Sequence, residues 1–287
     1  MAGTLYIVAS PIGNLEDITL RALRVLKEVD LIAAEDTRHT KKLLAHYGIA
    51  TPLTSYHQHN EIAKSASLVQ RLNSGCRVAL ISDAGTPIVS DPGFRLVQGA
   101  IHAGIPVVPI PGPSALTAVL SASGLPSERF VFEGFLPARK SQRRERLRIL
   151  REEPRTLVFY EVPHRVEESL QDLLEVLGER EMVLGREMTK LHEEFIRGSV
   201  SELAGQAKVK EWRGEMTLVV EGKKDRDSDI DRERERERGL KTEIKKLRKE
   251  GMRVKEIAEL LGERFSLSKR EVYRMVLEGE GRNESRT

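Results

Sequence analysis

The strongest constraint on the fold is an alternation. From Leu5 to Ser123 short apolar runs take turns with longer segments whose leucines recur at helical spacing. "TLYIVAS", "DLIAAEDT", "RVALISD" and "IPVVPIPGPS" read as buried strands, being brief, continuous and ended by turn residues. "DITLRALRVLKEV", "RHTKKLLAHYG", "EIAKSASLVQRLNSG" and "FRLVQGAIHAG" read as helices, with Gly48 and Gly75 as stops, and "SALTAVLSASG" closes the series. Strands separated by helices pair in parallel, because each crossover returns the chain to the same end of the sheet. The expected class is therefore α/β, with helices on the faces of a parallel sheet.

A second such set, with "RTLVFYEVP", "VEESLQDLLEVLG", "EMVLGREMT" and "GEMTLVVEG", follows from about Phe130. Residues 1–123 and 124–222 are thus read as two α/β domains. "KKDRDSDIDRERERERG" has Ile230 as its one large apolar residue, which cannot build a core, so 223–240 reads as a charged linker. Residues 241–280 read as a module of three short amphipathic helices. Their expected core is Ile244, Leu247, Val254, Ile257, Leu260, Leu261, Val272 and Val276. Gly251 and Gly262 serve as stops and Ser268 as an N-cap.

Composition narrows the function. Only 5% of the 287 residues are aromatic, against extended stacking platforms for single strands, and the net charge is +3. Cys76 is the one cysteine, which rules out internal disulfides and cysteine-rich zinc sites, and no metal is expected. No apolar run approaches the roughly 20 residues of a membrane span. "MAGTLYIVASPIGN" lacks the basic start of a secretory leader, so a cytoplasmic location is expected.

Four loops follow strands of the first domain: "ASPIGNLEDI", "AAEDTRHTKK", "SDAGTPIVSDPG" and "PIPGPSALTA". In an open parallel sheet these line one crevice, where ligands bind. The third has small side chains throughout, which lets backbone approach a ligand; as a plain turn it needs only one or two of them. None is a dinucleotide or P-loop fingerprint.

"SPIGNLEDITLRAL", "EDTRHTKKLL", "SYHQHNE", "ISDAGTPIVSDPG", "PIPGPSAL", "FEGFLP", "FYEVPHR" and "REMTKLHEE" occur in that order. The series resembles the ribosomal small subunit methyltransferase I family of the tetrapyrrole-methylase superfamily, over residues 3 to 222. The resemblance implies a two-domain class III S-adenosylmethionine methyltransferase fold, S-adenosyl-L-methionine as cofactor in the interdomain cleft, and a homodimer. It implies 2′-O-methylation of a cytidine ribose in 16S ribosomal RNA of the small subunit. The three-helix module resembles the helix-turn-helix-like tail of some members.

The same resemblance implies residue roles. Asp83, Ala84, Gly85 and Thr86 stand where the superfamily has a Gly-Asp-Pro cofactor loop, and depart from it in sequence. Ser114 and Ala115 match its small-residue cofactor loop, with Ser114 also expected to cap the next helix. Pro11 and Gly13 lie in the first loop, and Tyr160, Glu161, Val162, Met216 and Thr217 line the cleft from the second domain. For a general base Asp36, Glu161, Glu187 and Lys190 stay open, with Asp36, Glu187 and Lys190 as the catalytic set and the cluster at Glu35-Asp36 leading; a lysine base needs burial or nearby cations.

"LPARKSQRRERLRILREEPR" has eight Lys/Arg against three glutamates, enough to bind phosphates. Arg139, Lys140, Arg143 and Arg144 are its RNA-binding candidates, extended towards the cleft by Arg38, His57, Arg165 and Arg186; a solvated helix face is the plainer reading of the stretch. The pair His57 and His59 has no third ligand nearby and reads as polar recognition rather than a metal site. Two other functions compete: a tetrapyrrole (precorrin-type) methyltransferase and a non-catalytic RNA-binding assembly factor.

Overall fold

The computed structural model describes residues 3–224, 239–240, 242–244, 246–248, 250–265 and 267–278. The chain divides into two compact units, Met1–Lys223 and Lys224–Thr287.

The first unit holds two five-stranded sheets. The first sheet is built from β1 (Leu5–Val8), β2 (Leu31–Ala34), β3 (Leu53–Ser55), β4 (Val78–Ile81) and β5 (Val107–Ile110). Their order is β3-β2-β4-β1-β5 and every pairing is parallel. Helices α1 (Leu20–Glu28), α2 (Thr37–His46), α3 (Glu61–Asn73) and α4 (Phe94–His102) connect them. β2 and β4 are buried at all four positions, which is why they read as unbroken apolar runs. Ile32, Ala34 and Ile81 pack on one face with Leu26 and Leu43, and Leu5 and Leu80 on the other with Leu68, Leu72 and Leu96. β3 is an edge strand of three half-buried residues, too short and too polar to stand out in the sequence.

The second sheet comprises β6 (Phe130–Phe135), β7 (Thr156–Glu161), β8 (Glu181–Arg186), β9 (Glu194–Ser199) and β10 (Met216–Val220), in the order β6-β7-β10-β8-β9. Only β6 and β7 pair in parallel. β10 therefore runs against both its neighbours and starts where they end: Met216 pairs with Glu161 on one side and Arg186 on the other. Helices α6 (Lys140–Ile149), α7 (Val166–Leu177) and α8 (Val200–Ala207) belong to this half, α8 starting from a complete capping box of Ser199 and Glu202. Helix α5 (Ala115–Ser123) follows the first sheet in sequence, yet Val119 and Leu120 pack on Val158, Val183 and Val219 of the second. Its run of Ala, Leu and Val broken only by small hydroxyl residues suits that position between the two sheets.

The second unit is described by itself. Helical residues at 239–240, 242–244 and 246–248 precede α9 (Val254–Phe265) and α10 (Lys269–Glu278). Leu240, Ile244, Leu247, Ile257, Ala258, Leu261, Val272 and Val276 form its core. Three expectations change. Leu240, assigned to the linker, is helical and buried, whereas 225–238 lie outside the described residues. Leu260 is 47% exposed, because one step along a helix from buried Leu261 turns a side chain by about 100°. Gly262 does not stop α9; it lies inside it and accepts a hydrogen bond from Leu267 N at 2.9 Å, a close approach that a Cβ would crowd.

Candidate functional site

The carboxyl ends of β1, β2, β4 and β5 turn towards the end of the second sheet where β7 and β8 finish and β10 begins. Between them lies a cleft of about 230 Å³.

The wall formed by the loops of the first sheet is held by backbone. Ser10 and Gly85 exchange N–H···O bonds of 2.9 and 3.0 Å, and Ser10 Oγ donates to Ser82 O at 3.0 Å. Asp36 N donates to Asp83 Oδ1 at 3.0 Å, tying the loops after β2 and β4 together. Gly85 has φ +78°, a conformation open to glycine at no steric cost. Beyond it Ile88 and Ser90 hold φ +78° and +68°, although Ile88 is β-branched. The only other non-glycine residues with positive φ among those described are Glu187 and Thr189, in the loop after β8. Strained backbone is thus confined to two loops that face one cleft, the pattern of a functional site.

The wall formed by the second sheet is held by side chains. Glu187 Oε1 accepts from Lys190 Nζ at 2.8 Å. A Cβ on Gly214 would sit 1.7 Å from that same oxygen, and one on Gly13 would sit 2.6 Å from Lys190 Cγ. Asn14 N donates to Thr189 Oγ1 at 3.0 Å, so this loop reaches across to the first loop of the other domain. Phe135 and Tyr160 meet edge to face at 5.5 Å.

Charge is distributed unevenly. Glu35, Asp83, Asp91, Glu187 and Glu215 face the cleft, with Lys190 as the one lysine or arginine among the lining residues. Burial, followed by Asp83, raises the Glu35 carboxyl. Burial also pushes Asp91 up to about 7, opposed by a hydrogen bond from Ser82 and reinforced by Glu35, Glu215 and Asp83. Burial raises the Tyr160 phenol as well.

Eleven of the residues expected in the site line the cleft: Asp83, Ala84, Gly85, Thr86, Ser114, Ala115, Tyr160, Glu187, Lys190, Met216 and Thr217. Others are placed differently. Ile12 faces the cleft while its neighbours Pro11 and Gly13 do not, Gly13 serving to admit Lys190. Ser114 occupies the N-cap of α5 without a side-chain cap bond. Asp36 caps α2 and does not line the cleft; hydrogen bonds from Arg38, whose guanidinium lies at 2.7 Å, hold its carboxylate well below the usual range. Glu161 is fully buried away from the cleft; it accepts from Val162 N and Ser169 Oγ and pairs with Arg165. Val162 does not line the cleft either.

The basic candidates divide in the same way. Arg143 is 0% exposed, with Nε on Asp172 at 2.7 Å and Nη2 on Glu168 at 3.1 Å, so it holds α6 to α7 and has no free surface to offer. Arg144 pairs with Asp172 and Glu175, Arg165 with Glu161 and Leu136 O, and Arg186 with Glu194. His57 approaches Asn60 Nδ2 through Nε2. Arg139 and Lys140 are exposed, as is Arg38 beside its partner Asp36. Ile12, Val89, Ser90, Asp91, Phe135, Met188 and Glu215 line the cleft without having been singled out, as does Glu35, which was named only as part of the leading Glu35-Asp36 cluster. For Glu35 a signal existed, since the strand-end pair Glu35-Asp36 was recognised and only its orientation was open.

Residues 4–204 match the family model described as Tetrapyrrole (Corrin/Porphyrin) Methylases. The chain is 54% identical over 220 residues to the ribosomal RNA small subunit methyltransferase I of Halalkalibacterium halodurans, covering 77% of this chain and 76% of that one. The chain belongs to this family. The protein of the same name from Thermotoga maritima is 50% identical over 221 residues, 77% of this chain and 99% of its own. Among solved structures, uroporphyrin-III-C-methyltransferase from Thermus thermophilus matches with a TM-score of 0.54 at 25% identity, over 76% of this chain and 94% of that one. The methyltransferase CobJ matches in fold with a TM-score of 0.58 at 19% identity, over 77% and 95% of the two chains.

S-adenosylmethionine is the cofactor of this methyltransferase family, and the cleft fits it. Ala84, Gly85, Ser114 and Ala115 keep one wall shallow, and Ile12, Phe135, Tyr160, Met188 and Met216 offer apolar surface to a purine. The carboxylates suit a molecule that carries both an ammonium and a sulfonium. Among the described residues no group of three His, Cys, Asp or Glu side chains could hold a metal, and no helix is long and apolar enough to cross a membrane.

Proposed function

We propose that this chain methylates the 2′-hydroxyl of a cytidine ribose in 16S ribosomal RNA of the small subunit. The observation that carries the reading is the convergence of loops from both domains on one cleft, in a chain more than half identical to ribosomal RNA small subunit methyltransferases I. The Asp83–Thr86 loop with Ser114, Ala115, Tyr160, Met216 and Thr217 holds the cofactor, which supplies a methyl group on a positively charged sulfur. Glu187 faces the acceptor and takes the hydroxyl proton, a role worth about 10²–10⁴-fold in rate. Lys190, paired with it at 2.8 Å, orients that carboxylate. Most of the remaining acceleration comes from holding the hydroxyl against the methyl. Arg139 and Lys140, exposed at the start of α6, meet RNA phosphates. The enzyme works in the cytoplasm as a homodimer, for which the exposed Phe94 and Ile101, seven residues apart on α4, and Ile62 on adjoining α3 offer an apolar face.

Labelled methyl offered with small subunits from cells lacking the enzyme, beside naked 16S RNA and a precorrin, tests this. Label retained at a cytidine ribose after nuclease digestion supports the assignment; label in the precorrin alone, or none anywhere, defeats it.

A further inference from the structure

The cleft carries five carboxylates against one lysine, and that lysine is already engaged by Glu187. The other four acids come from separate places. Glu35 follows β2, Asp83 and Asp91 follow β4, and Glu215 precedes β10. They face one cavity from loops of both sheets, Glu35, Asp83 and Asp91 half-buried and Glu215 at its exposed rim.

Neighbouring groups do not neutralise them. Arg38, next in reach of Asp83, turns its guanidinium to Asp36. His57 bears on Glu35 from beyond β3, more weakly than Asp83 and Glu215 do. Burial keeps the Tyr160 phenol protonated. Burial, and then these same acids, raise the Asp91 carboxyl to about 7, which leaves it partly protonated near neutrality.

We propose that Glu35, Asp83, Asp91 and Glu215 make the cleft selective for the cationic, methyl-bearing cofactor over its neutral thioether product, so that the transfer itself loosens the hold on the molecule that must leave. The inference rests on the S-adenosylmethionine reading of the site. In the transfer the bond from methyl carbon to sulfur breaks with its electron pair kept by sulfur, a carbon–oxygen bond forms, and the hydroxyl proton passes to the base. The ligand loses one positive charge while the four carboxylates stay in place. Two ligands of nearly the same shape then differ chiefly by their electrostatic energy in a partly desolvated site.

Calorimetric titration of the full chain with S-adenosylmethionine and with S-adenosylhomocysteine, without RNA, tests this from about pH 6 to about pH 8. The expected preference for the cation grows about tenfold across that window, one pKa unit of coupling. Buffers of different ionisation enthalpy should show proton release with the sulfonium ligand and far less with the thioether. Asp91→Asn with Glu215→Gln should flatten the pH dependence and remove most of the preference, while sharing the ligands' own titration as an internal reference. The single variant Asp91→Asn, with circular dichroism to verify folding, serves if the double variant is unstable. A preference that is constant with pH in the parent, or unchanged in the folded variant, overturns the proposal and leaves the cofactor assignment standing. Failure of both ligands to bind overturns the cofactor assignment and this proposal with it.

Discussion

The two strained loops of the cleft are anchored in different ways. The loop after β4 is tied by backbone hydrogen bonds and by the Asp83 carboxylate to the other loops of its own domain. The loop after β8 is tied by side chains, with Glu187 lying over Gly214, Lys190 over Gly13, and Thr189 on the backbone of Asn14 in the opposite domain. A wall tied by hydrogen bonds among the loops of the first sheet suits holding a cofactor. An arm packed against loops of both sheets suits the reacting groups. The lesson is that binding and turnover should respond separately to changes in the two loops.

The largest expected effect falls on the arm. Glu187→Gln should lower kcat about 10²–10⁴-fold while the dissociation constant of S-adenosylmethionine moves less than about threefold; a parallel loss of cofactor binding would erase the distinction between the loops. Next comes Gly214→Ala, which forces a Cβ into Glu187 and strains a residue at φ +74°. Turnover should fall more than about tenfold with cofactor affinity nearly intact, and Gly13→Ala should act similarly through Lys190.

A smaller effect is expected on the backbone wall, and it is a pH effect. Asp91 is raised from 3.8 to about 7 in the folded protein, so its ionisation opposes folding. Stability free of this penalty below about pH 4 is lost progressively as pH rises through about 7. Asp91→Asn should therefore raise the thermal midpoint of the ligand-free protein at about pH 8 and leave it unchanged at about pH 4. The smallest effect belongs to Asp36→Asn, which keeps a capping oxygen: kcat should stay within about threefold, and a larger drop would return Asp36 to the reacting centre.

Much of this architecture was legible because its signals are local. The strands β1, β2 and β4 are continuous apolar runs, and the loops after β4 and β5 advertise close backbone approach through Ala84, Gly85 and Ser114. β3 was not legible, since three half-buried residues carry no period, and Gly262 misled because a glycine can admit a neighbour as well as end a helix. Among the site residues, the small Ala84, Gly85, Thr86, Ser114 and Ala115 and the charged Asp83, Glu187 and Lys190 line the cleft, whereas Asp36 and Glu161 do not. A long or acidic side chain can turn either way from the same backbone position. Glu35 enters the cleft and adjacent Asp36 caps a helix; Arg143 is sealed against Asp172 while Arg139 stays outside.

The sequence by itself determined the α/β class, the family and the set of loops that meet at one crevice, because apolar periodicity and turn chemistry act over a few residues. Only the tertiary structure decided which carboxylates share the cavity, that α5 packs on the second sheet, and which arginines are spent on internal ion pairs. Those outcomes depend on which distant segments meet, and the energy of a charge depends on the groups packed around it rather than on its neighbours in the chain.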